Sequence, residues 1–177
     1  MNRPKFLIDR MLGKLVAWLR IFDYDTLSAL ELRIEGDEDN YLIRVASEEG
    51  RVLLSRDRVL VGRATKVGVT ALLISPNDVK GQICELMKHY SIITEPIMKR
   101  CTMCNSGLRP ADPLDLDKAG SDVPRHLIDE GKRFWACDGC GKIYWMGSHW
   151  RNIQKTAREM ENCKHINQEH DKRSLLR

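Results

Sequence analysis

The 177-residue chain lacks long hydrophobic runs, because its longest purely apolar stretches are only a few residues. A transmembrane helix needs about 20 consecutive apolar residues, so the sequence predicts no membrane span. The N-terminal stretch MNRPKFLID also lacks the apolar core of a secretory signal, and no lipidation motif is present. We therefore expect a cytoplasmic protein that has no membrane partner.

The first part of the chain also lacks a net charge. Residues 1–96 carry 14 Lys or Arg and 14 Asp or Glu, whereas residues 97–177 carry 15 basic and 11 acidic residues. The whole excess of +4 therefore lies in the second part, which favours a polyanionic partner such as RNA. With 42% hydrophobic residues, the composition excludes a disordered chain and is typical of a folded protein.

Apolar periodicity in the first part alternates between strand and helix. Short apolar runs predict four strands, at residues 6–8, 24–28, 51–55 and 69–75. Helical spacing predicts three helices. They lie at 11–22, from the acidic run GDEDN to Gly50, and at 77–90. Strands separated by helices predict an α/β domain with a parallel sheet and helices on its faces.

Two of the predicted strands end in an acid. Asp9 follows the first strand, and Asp57 follows the third strand with the hydroxyl of Ser55 in between. An Asp in this position can simply cap the next helix. The carboxyl ends of parallel strands meet at one edge of a sheet, however, and ligands bind there. Converging carboxylates favour a hard divalent ion, Mg²⁺ or Mn²⁺, which promotes phosphodiester hydrolysis.

Further residues could join this site. The acidic run GDEDN places Glu38 and Asp39 where either could point towards the sheet, and Asp78 follows the fourth strand. Ser55 could contact the phosphate or a metal-bound water, or could simply be a hydroxyl at the end of a strand. The residues alone leave these alternatives open.

The second part carries two C-x₂-C pairs. Cys101 and Cys104 form the first pair, and Cys137 and Cys140 form the second. Four thiolates at such spacing predict a closed, structural Zn²⁺ site, and disulfides are not expected in a cytoplasmic chain. The 32 residues between the pairs are rich in proline and predict a loop-like insertion. Of the other cysteines, we expect Cys84 to be a core residue and Cys163 a free thiol.

Four stretches carry a resemblance to a known family, namely FLIDRMLGKLVAWLRIFDYDT, DNYLIRVASEEGRVLLSRDRVL, RCTMCN and CGKIYWMGSHW. In this order, from Phe6 to Trp150, they resemble the Mut-seven-C type of PIN-like ribonuclease domain, which joins a nuclease to a C-terminal zinc ribbon. The resemblance implies that Asp9, Asp39 and Asp57 are the acidic metal ligands. It favours Asp39 over Glu38 because the acid of the family lies seven residues before the alanine that matches Ala46.

The expected architecture is a PIN-like three-layer α/β nuclease domain at residues 1–96 and a zinc ribbon at 97–150. A helical and then polar, basic tail follows at 151–177. We expect RNA to be held by a set of basic and aromatic residues. These are Lys14, Arg20, Arg56, Arg58, His149 and Trp150. The ring of Trp150 could instead pack against the nuclease domain.

These observations predict a metal-dependent ribonuclease that cuts RNA endonucleolytically. Its catalytic set is Asp9, Asp39, Asp57, Asp78 and Ser55, with Mg²⁺ or Mn²⁺ as the catalytic ion and Zn²⁺ as the structural ion. The alternative is a non-catalytic RNA-binding or ribosome-associated adaptor, in which the acids are structural and the zinc ribbon provides the function. A pure binding module would not need three acids at the strand ends.

Overall fold

Four short parallel strands form the central sheet of the computed structural model, which describes residues 3–163. The strands are β1 (Phe6–Ile8), β2 (Thr26–Ser28), β3 (Val52–Ser55) and β4 (Ala71–Leu73), in the order β2-β1-β3-β4. Because β1 pairs in parallel with both β2 and β3, and β3 with β4, all four strands end at the same side of the sheet. We call this side the carboxyl edge.

Helices connect these strands and lie against the sheet. They are α1 (Gly13–Ile21), α2 (Glu38–Glu49), α3 (Arg58–Lys66) and α4 (Val79–Met87). The periodicity of the sequence predicts three of them but not α3. Helix α2 is followed by Gly50, whose φ of 61° lies in the left-handed region that glycine adopts at low cost. Each helix that follows a strand begins near the carboxyl edge.

Alternating side chains of the strands enter two separate cores. Phe6 and Ile8 pack with α1 and α4 on one face of the sheet, whereas Leu7 packs with α2 and α3 on the other. This alternation follows from the period of two residues in a β-strand. The resulting three layers confirm the predicted α/β fold with a parallel sheet.

A second, antiparallel sheet forms the ribbon. Its strands are β5 (Leu108–Pro110), β6 (Phe134–Cys137) and β7 (Ile143–Trp145), in the order β5-β6-β7. The insertion between β5 and β6 is not the loop that its prolines predict, because it contains α5 (Pro113–Ala119) and α6 (Arg125–Asp129). Proline is tolerated at the first position of α5, and Asp112 and Asp115 form a capping box there.

Helix α7 (Ser148–Glu161) leads the chain back to the α/β domain. Its Ala157 and Met160 are buried in the same core as α1 and α4. A disulfide joins Cys84 of α4 to Cys163, with 5.5 Å between their Cα atoms. The expectation of a core cysteine and a free thiol was therefore wrong, because the sequence does not show that α4 and the end of α7 are neighbours.

The remainder of the predicted tail, residues 164–177, lies outside the described residues. Within residues 3–163, no helix combines the length and the hydropathy that crossing a membrane requires.

Candidate active site and cysteine cluster

Asp9 lies at the end of β1, and its side chain makes no capping hydrogen bond to the turn that follows. Its Oδ2 instead accepts a 2.6 Å hydrogen bond from Oγ of Ser55, which is fully buried at the end of the neighbouring strand β3. The capping explanation therefore does not account for Asp9. The carboxylate is held across two strands by a hydroxyl that water does not reach.

Asp57 is attached to the same hydroxyl. Its backbone N–H donates to Ser55 Oγ over 2.9 Å, so one side chain links both acids of the strand ends. Oδ1 of Asp57 accepts hydrogen bonds from the N–H groups of Val59 (2.6 Å) and Leu60 (3.3 Å). Asp57 thus caps α3 through one oxygen, while the residue as a whole remains exposed at the carboxyl edge.

The three acids at the start of α2, Asp37, Glu38 and Asp39, each make a different contact. Asp37 caps the helix. Glu38 accepts a 2.6 Å hydrogen bond from Nε of Arg10, the residue that directly follows Asp9. Oδ2 of Asp39 lies 2.6 Å from Nη1 of Arg63 on α3. The first turn of α2 is therefore tied both to the chain after β1 and to the helix that Asp57 caps.

Asp78, the fourth acid predicted for the site, caps α4. Its Oδ1 accepts a 2.9 Å hydrogen bond from the N–H of Gly81. Asp78 follows the edge strand β4, which is separated from β1 by β3. The structure thus places Asp78 further along the carboxyl edge than Asp9 and Asp57.

The four cysteines of the ribbon form one cluster. Their sulfur atoms all lie within 4.8 Å of one another, with Cys101 Sγ 3.7 Å from Cys140 Sγ and Cys104 Sγ 3.3 Å from Cys137 Sγ. Sulfurs on a tetrahedral Zn²⁺ with bonds of about 2.3 Å would lie about 3.8 Å apart. The cluster therefore has nearly the size that a zinc ion requires.

Backbone N–H groups around the cluster stabilise the thiolate form of its cysteines. The N–H groups of Met103 and Gly139 point at Cys101 Sγ and Cys137 Sγ, each over 3.4 Å. Burial raises the pKa of the Cys104 thiol, but hydrogen bonds with Ser106, Cys137 and Cys140 together outweigh this effect and lower the pKa to about 6. Burial also raises the pKa of Cys137, to about 12. Bound zinc would favour deprotonation of all four thiols together.

A model of one protein family matches most of the chain. It is described as the Mut7-C RNAse domain, and it covers residues 4–157, which include the sheet, the ribbon and most of α7. The chain belongs to the Mut7-C RNAse domain family. No curated protein and no solved structure gives a significant match. Membership confirms the resemblance seen in the sequence and points to a ribonuclease, for which RNA is the substrate.

In this Mut7-C RNAse domain, the predicted acidic ligands Asp9, Asp39 and Asp57 do not form a cluster as close as that of the four cysteines. Within residues 3–163, the four cysteines are the one group of three or more His, Cys, Asp or Glu side chains placed to hold a metal ion. Mg²⁺, however, is usually held by one or two carboxylates together with substrate phosphates. Asp9 and Asp57 carry carboxylate oxygens, which are donors of the kind that Mg²⁺ takes. Ser55 Oγ bonds the carboxylate of Asp9 and the backbone N–H of Asp57.

Arg20 does not lie where an RNA contact would require it. Its side chain is fully buried, and Nε and Nη2 donate to the carbonyl oxygen of Thr26. Nη1 donates to Glu31 and, over 3.0 Å each, to the carbonyl oxygens of Thr102 and Met103 in the first cysteine pair. The prediction that Arg20 draws in the RNA backbone was therefore wrong. The residue fixes the ribbon to the α/β domain, and the sequence gives no signal for this contact.

The other predicted RNA contacts differ in accessibility. Lys14, Arg58 and His149 are exposed. Arg56 is half-buried and donates to Asn77 Oδ1 over 2.5 Å. Trp150 is only 7% exposed, so its ring offers no free face to a base. The stacking role predicted for Trp150 was wrong, and the packing alternative describes it better.

Proposed function

We propose that this Mut7-C RNAse domain is a metal-dependent endoribonuclease with its active site at the carboxyl edge. The link from Asp9 through Ser55 to Asp57 carries the proposal. A surface acid can be satisfied by water, and a helix cap needs only backbone N–H groups. A buried hydroxyl that orients one carboxylate and holds the backbone of a second is the arrangement expected when both acids must keep fixed positions.

In this proposal, Asp9 and Asp57 hold Mg²⁺ or Mn²⁺, and Ser55 orients Asp9. When bound, the cation activates water and neutralises charge on the phosphate that is cleaved. Asp57 keeps α3 capped through Oδ1, which leaves Oδ2 to face the substrate. Asp39 adds negative charge from α2, and Arg63 sets the orientation of its carboxylate.

The basic residues would supply most of the RNA affinity. Lys14 and Arg58 are exposed in the first turns of α1 and α3, both at the carboxyl edge. His149 is exposed at the start of α7, and residues 97–177, which comprise the ribbon and the tail, carry the whole excess of basic residues. Phosphate contacts of this kind give affinity with little sequence preference. We therefore assign the ribbon an auxiliary role in RNA binding.

Conservative substitutions of the acids test the proposal. Asn can still cap α3 and can still accept from Ser55, so Asp57→Asn and Asp9→Asn should fold normally. Loss of a ligand carboxylate should reduce cleavage of an unstructured RNA at least about 100-fold, since metal-ion stabilisation is worth several kcal/mol. Cleavage by the wild-type protein should require Mg²⁺ or Mn²⁺.

Asp78→Asn is the matched control, because it makes the same change at the cap of α4, the next helix along the chain. It should leave cleavage within about twofold of the wild-type rate, because Asn caps helices about as well as Asp. If the zinc-loaded wild-type protein binds RNA but cuts none with either ion, the adaptor alternative is correct. Wild-type rates in both Asp9→Asn and Asp57→Asn would place the active site elsewhere.

A further inference from the structure

The two acids of the strand ends are each followed by the same pattern. Asp9-Arg10-Met11 and Asp57-Arg58-Val59 both continue from the acid to an arginine and then to an apolar residue. The side chains of Met11 and Val59 are 64% and 66% exposed. Large apolar side chains with this much exposure and no core role commonly mark an interaction surface when they lie together.

A third exposed apolar side chain lies beside them. Leu30 follows β2, the strand on the other side of β1, and is 58% exposed. A Cβ atom built on Gly13 would lie 3.8 Å from Cδ1 of Leu30, so Leu30 lies over the first turn of α1. Leu30, Met11 and Val59 therefore follow three adjacent strands, in the spatial order β2-β1-β3. Adjacent strands are about 4.8 Å apart.

The ribbon extends this row. Arg20 contacts Glu31, the neighbour of Leu30, and also the carbonyl oxygen of Met103 between the first two cysteines. The Met103 side chain is 57% exposed. One buried guanidinium thus joins the backbone of this exposed methionine to Glu31, the residue that follows Leu30. We call Met103, Leu30, Met11 and Val59 the apolar rim.

We propose that the apolar rim is a binding track for unpaired bases of the RNA, leading from the acids of the active site to the zinc ribbon. This inference rests on the proposed function, because it concerns the strand that is cleaved. Bases that are splayed out of a single strand bury apolar and polarisable faces against protein side chains. Methionine adapts to such faces because its side chain is flexible and polarisable.

Charge complementarity favours RNA over a protein as the occupant. Arg58 directly precedes Val59, and Lys14 lies in the first turn of α1 near Met11. Within residues 3–163, neither of these two basic side chains forms a salt bridge. Cations alternating with apolar side chains suit a polymer that alternates phosphates with bases. Because the apolar rim is also continuous with the candidate active site, a bound base would lie beside the phosphate to be cut.

Helix α3 provides a matched pair of variants for the test. Val59 and Val67 are 66% and 67% exposed, and they lie at opposite ends of α3, so Val67 is far from the carboxyl edge. Fluorescence anisotropy would measure the binding of a labelled, unstructured RNA to the zinc-loaded full chain without added Mg²⁺ or Mn²⁺. Val59→Thr combined with Met11→Gln should weaken binding about three- to tenfold, from the lost apolar contact area. Val67→Thr should bind like wild type.

A strand with the same sugar-phosphate backbone but without bases provides the second comparison. It should bind the apolar rim variant and the wild type equally, since only phosphate contacts remain. The inference is overturned if the variant binds normal RNA like wild type, or if it loses the same affinity for the baseless strand. It is also overturned if the variant changes only self-association, measured by sedimentation. If the wild type shows base-dependent binding through the apolar rim but no cleavage with Mg²⁺ or Mn²⁺, the proposed function fails and the apolar rim stands.

Discussion

Replacing Arg20 by methionine should destabilise the whole protein, because this buried side chain joins its two parts. The guanidinium donates to the carbonyl oxygens of Thr26, Thr102 and Met103 and to the carboxylate of Glu31. Methionine keeps most of the apolar stem but provides no donor. All four partners would lose hydrogen bonds in a place where Arg20 itself is fully buried.

The size of the effect follows from what happens to each partner. The side chain of Glu31 is 34% exposed, so water can replace the lost ion pair and this part of the loss is small. The two hydrogen bonds to Thr26 are buried and those to Thr102 and Met103 are partly buried, and a buried polar group left unsatisfied costs about 1 kcal/mol or more. We therefore expect a loss of about 3 kcal/mol, near the lower end of the values found when one partner of a buried ion pair is removed.

Urea unfolding of the zinc-loaded protein would measure this loss. Arg33→Met is the matched control, because Arg33 is 94% exposed and its nearest carboxylate, on Glu35, is 3.8 Å away. It should change the free energy of unfolding by less than about 0.5 kcal/mol. Arg20→Lys should fall between the two, since one ammonium cannot reach all the acceptors. A loss below about 1 kcal/mol in Arg20→Met would refute the reasoning, since it would mean that the carbonyl groups find other partners.

Two further predictions concern zinc and acid. The purified protein should contain about one Zn²⁺ per chain, and Cys101→Ser should lower both the zinc content and the free energy of unfolding; folded protein in which metal analysis finds no zinc would contradict the assigned site. Burial raises the pKa of Asp25, but hydrogen bonds from Arg51 and Asn105 outweigh this and hold it below the usual 3.8. A lowered folded-state pKa stabilises the protein fully above the unfolded value, and this contribution is lost as the pH falls through the folded-state pKa. In urea titrations from about pH 6 to pH 3, Asp25→Asn should therefore show a smaller loss of stability on acidification than the wild type or the exposed control Asp129→Asn; equal losses would contradict the role of Asp25.

The fold was predictable because its signals are local. The short apolar runs of β1 and β3, and the glycine that follows α2, are each visible in a few neighbouring residues. The placement of Asp9 and Asp57 at one edge needed one more step, namely that parallel strands share a carboxyl edge. Ser55 could be chosen as a candidate from its position between a strand and an acid. The contact between Ser55 and Asp9 could not be predicted, because the two residues are 46 positions apart in the chain.

Most of the wrong predictions concern contacts between distant parts of the chain. Arg20 looks like a surface cation because it lies at the end of a helix, yet its acceptors Thr102 and Met103 are more than 80 residues away. The disulfide between Cys84 and Cys163 spans 79 residues. Helix α5 was missed for a different reason, because the prolines of the insertion outweighed a local capping box. Charge and composition alone cannot distinguish a buried arginine from a free one.

These long-range contacts also change how the charge distribution should be understood. The basic excess and the acids lie in different parts of the sequence, which favours two separable modules. In the structure, however, Asn105 of the ribbon accepts from the backbone of Thr26 and donates to Asp25, and Met160 of α7 is buried in the core of the α/β domain. The ribbon is thus anchored at both of its ends. Residues 97–150 carry eight Lys or Arg and seven Asp or Glu, so most of the basic excess follows the ribbon, in residues 151–177. The α/β domain and the ribbon therefore share packing contacts, and the uneven charge along the sequence does not make them separable modules.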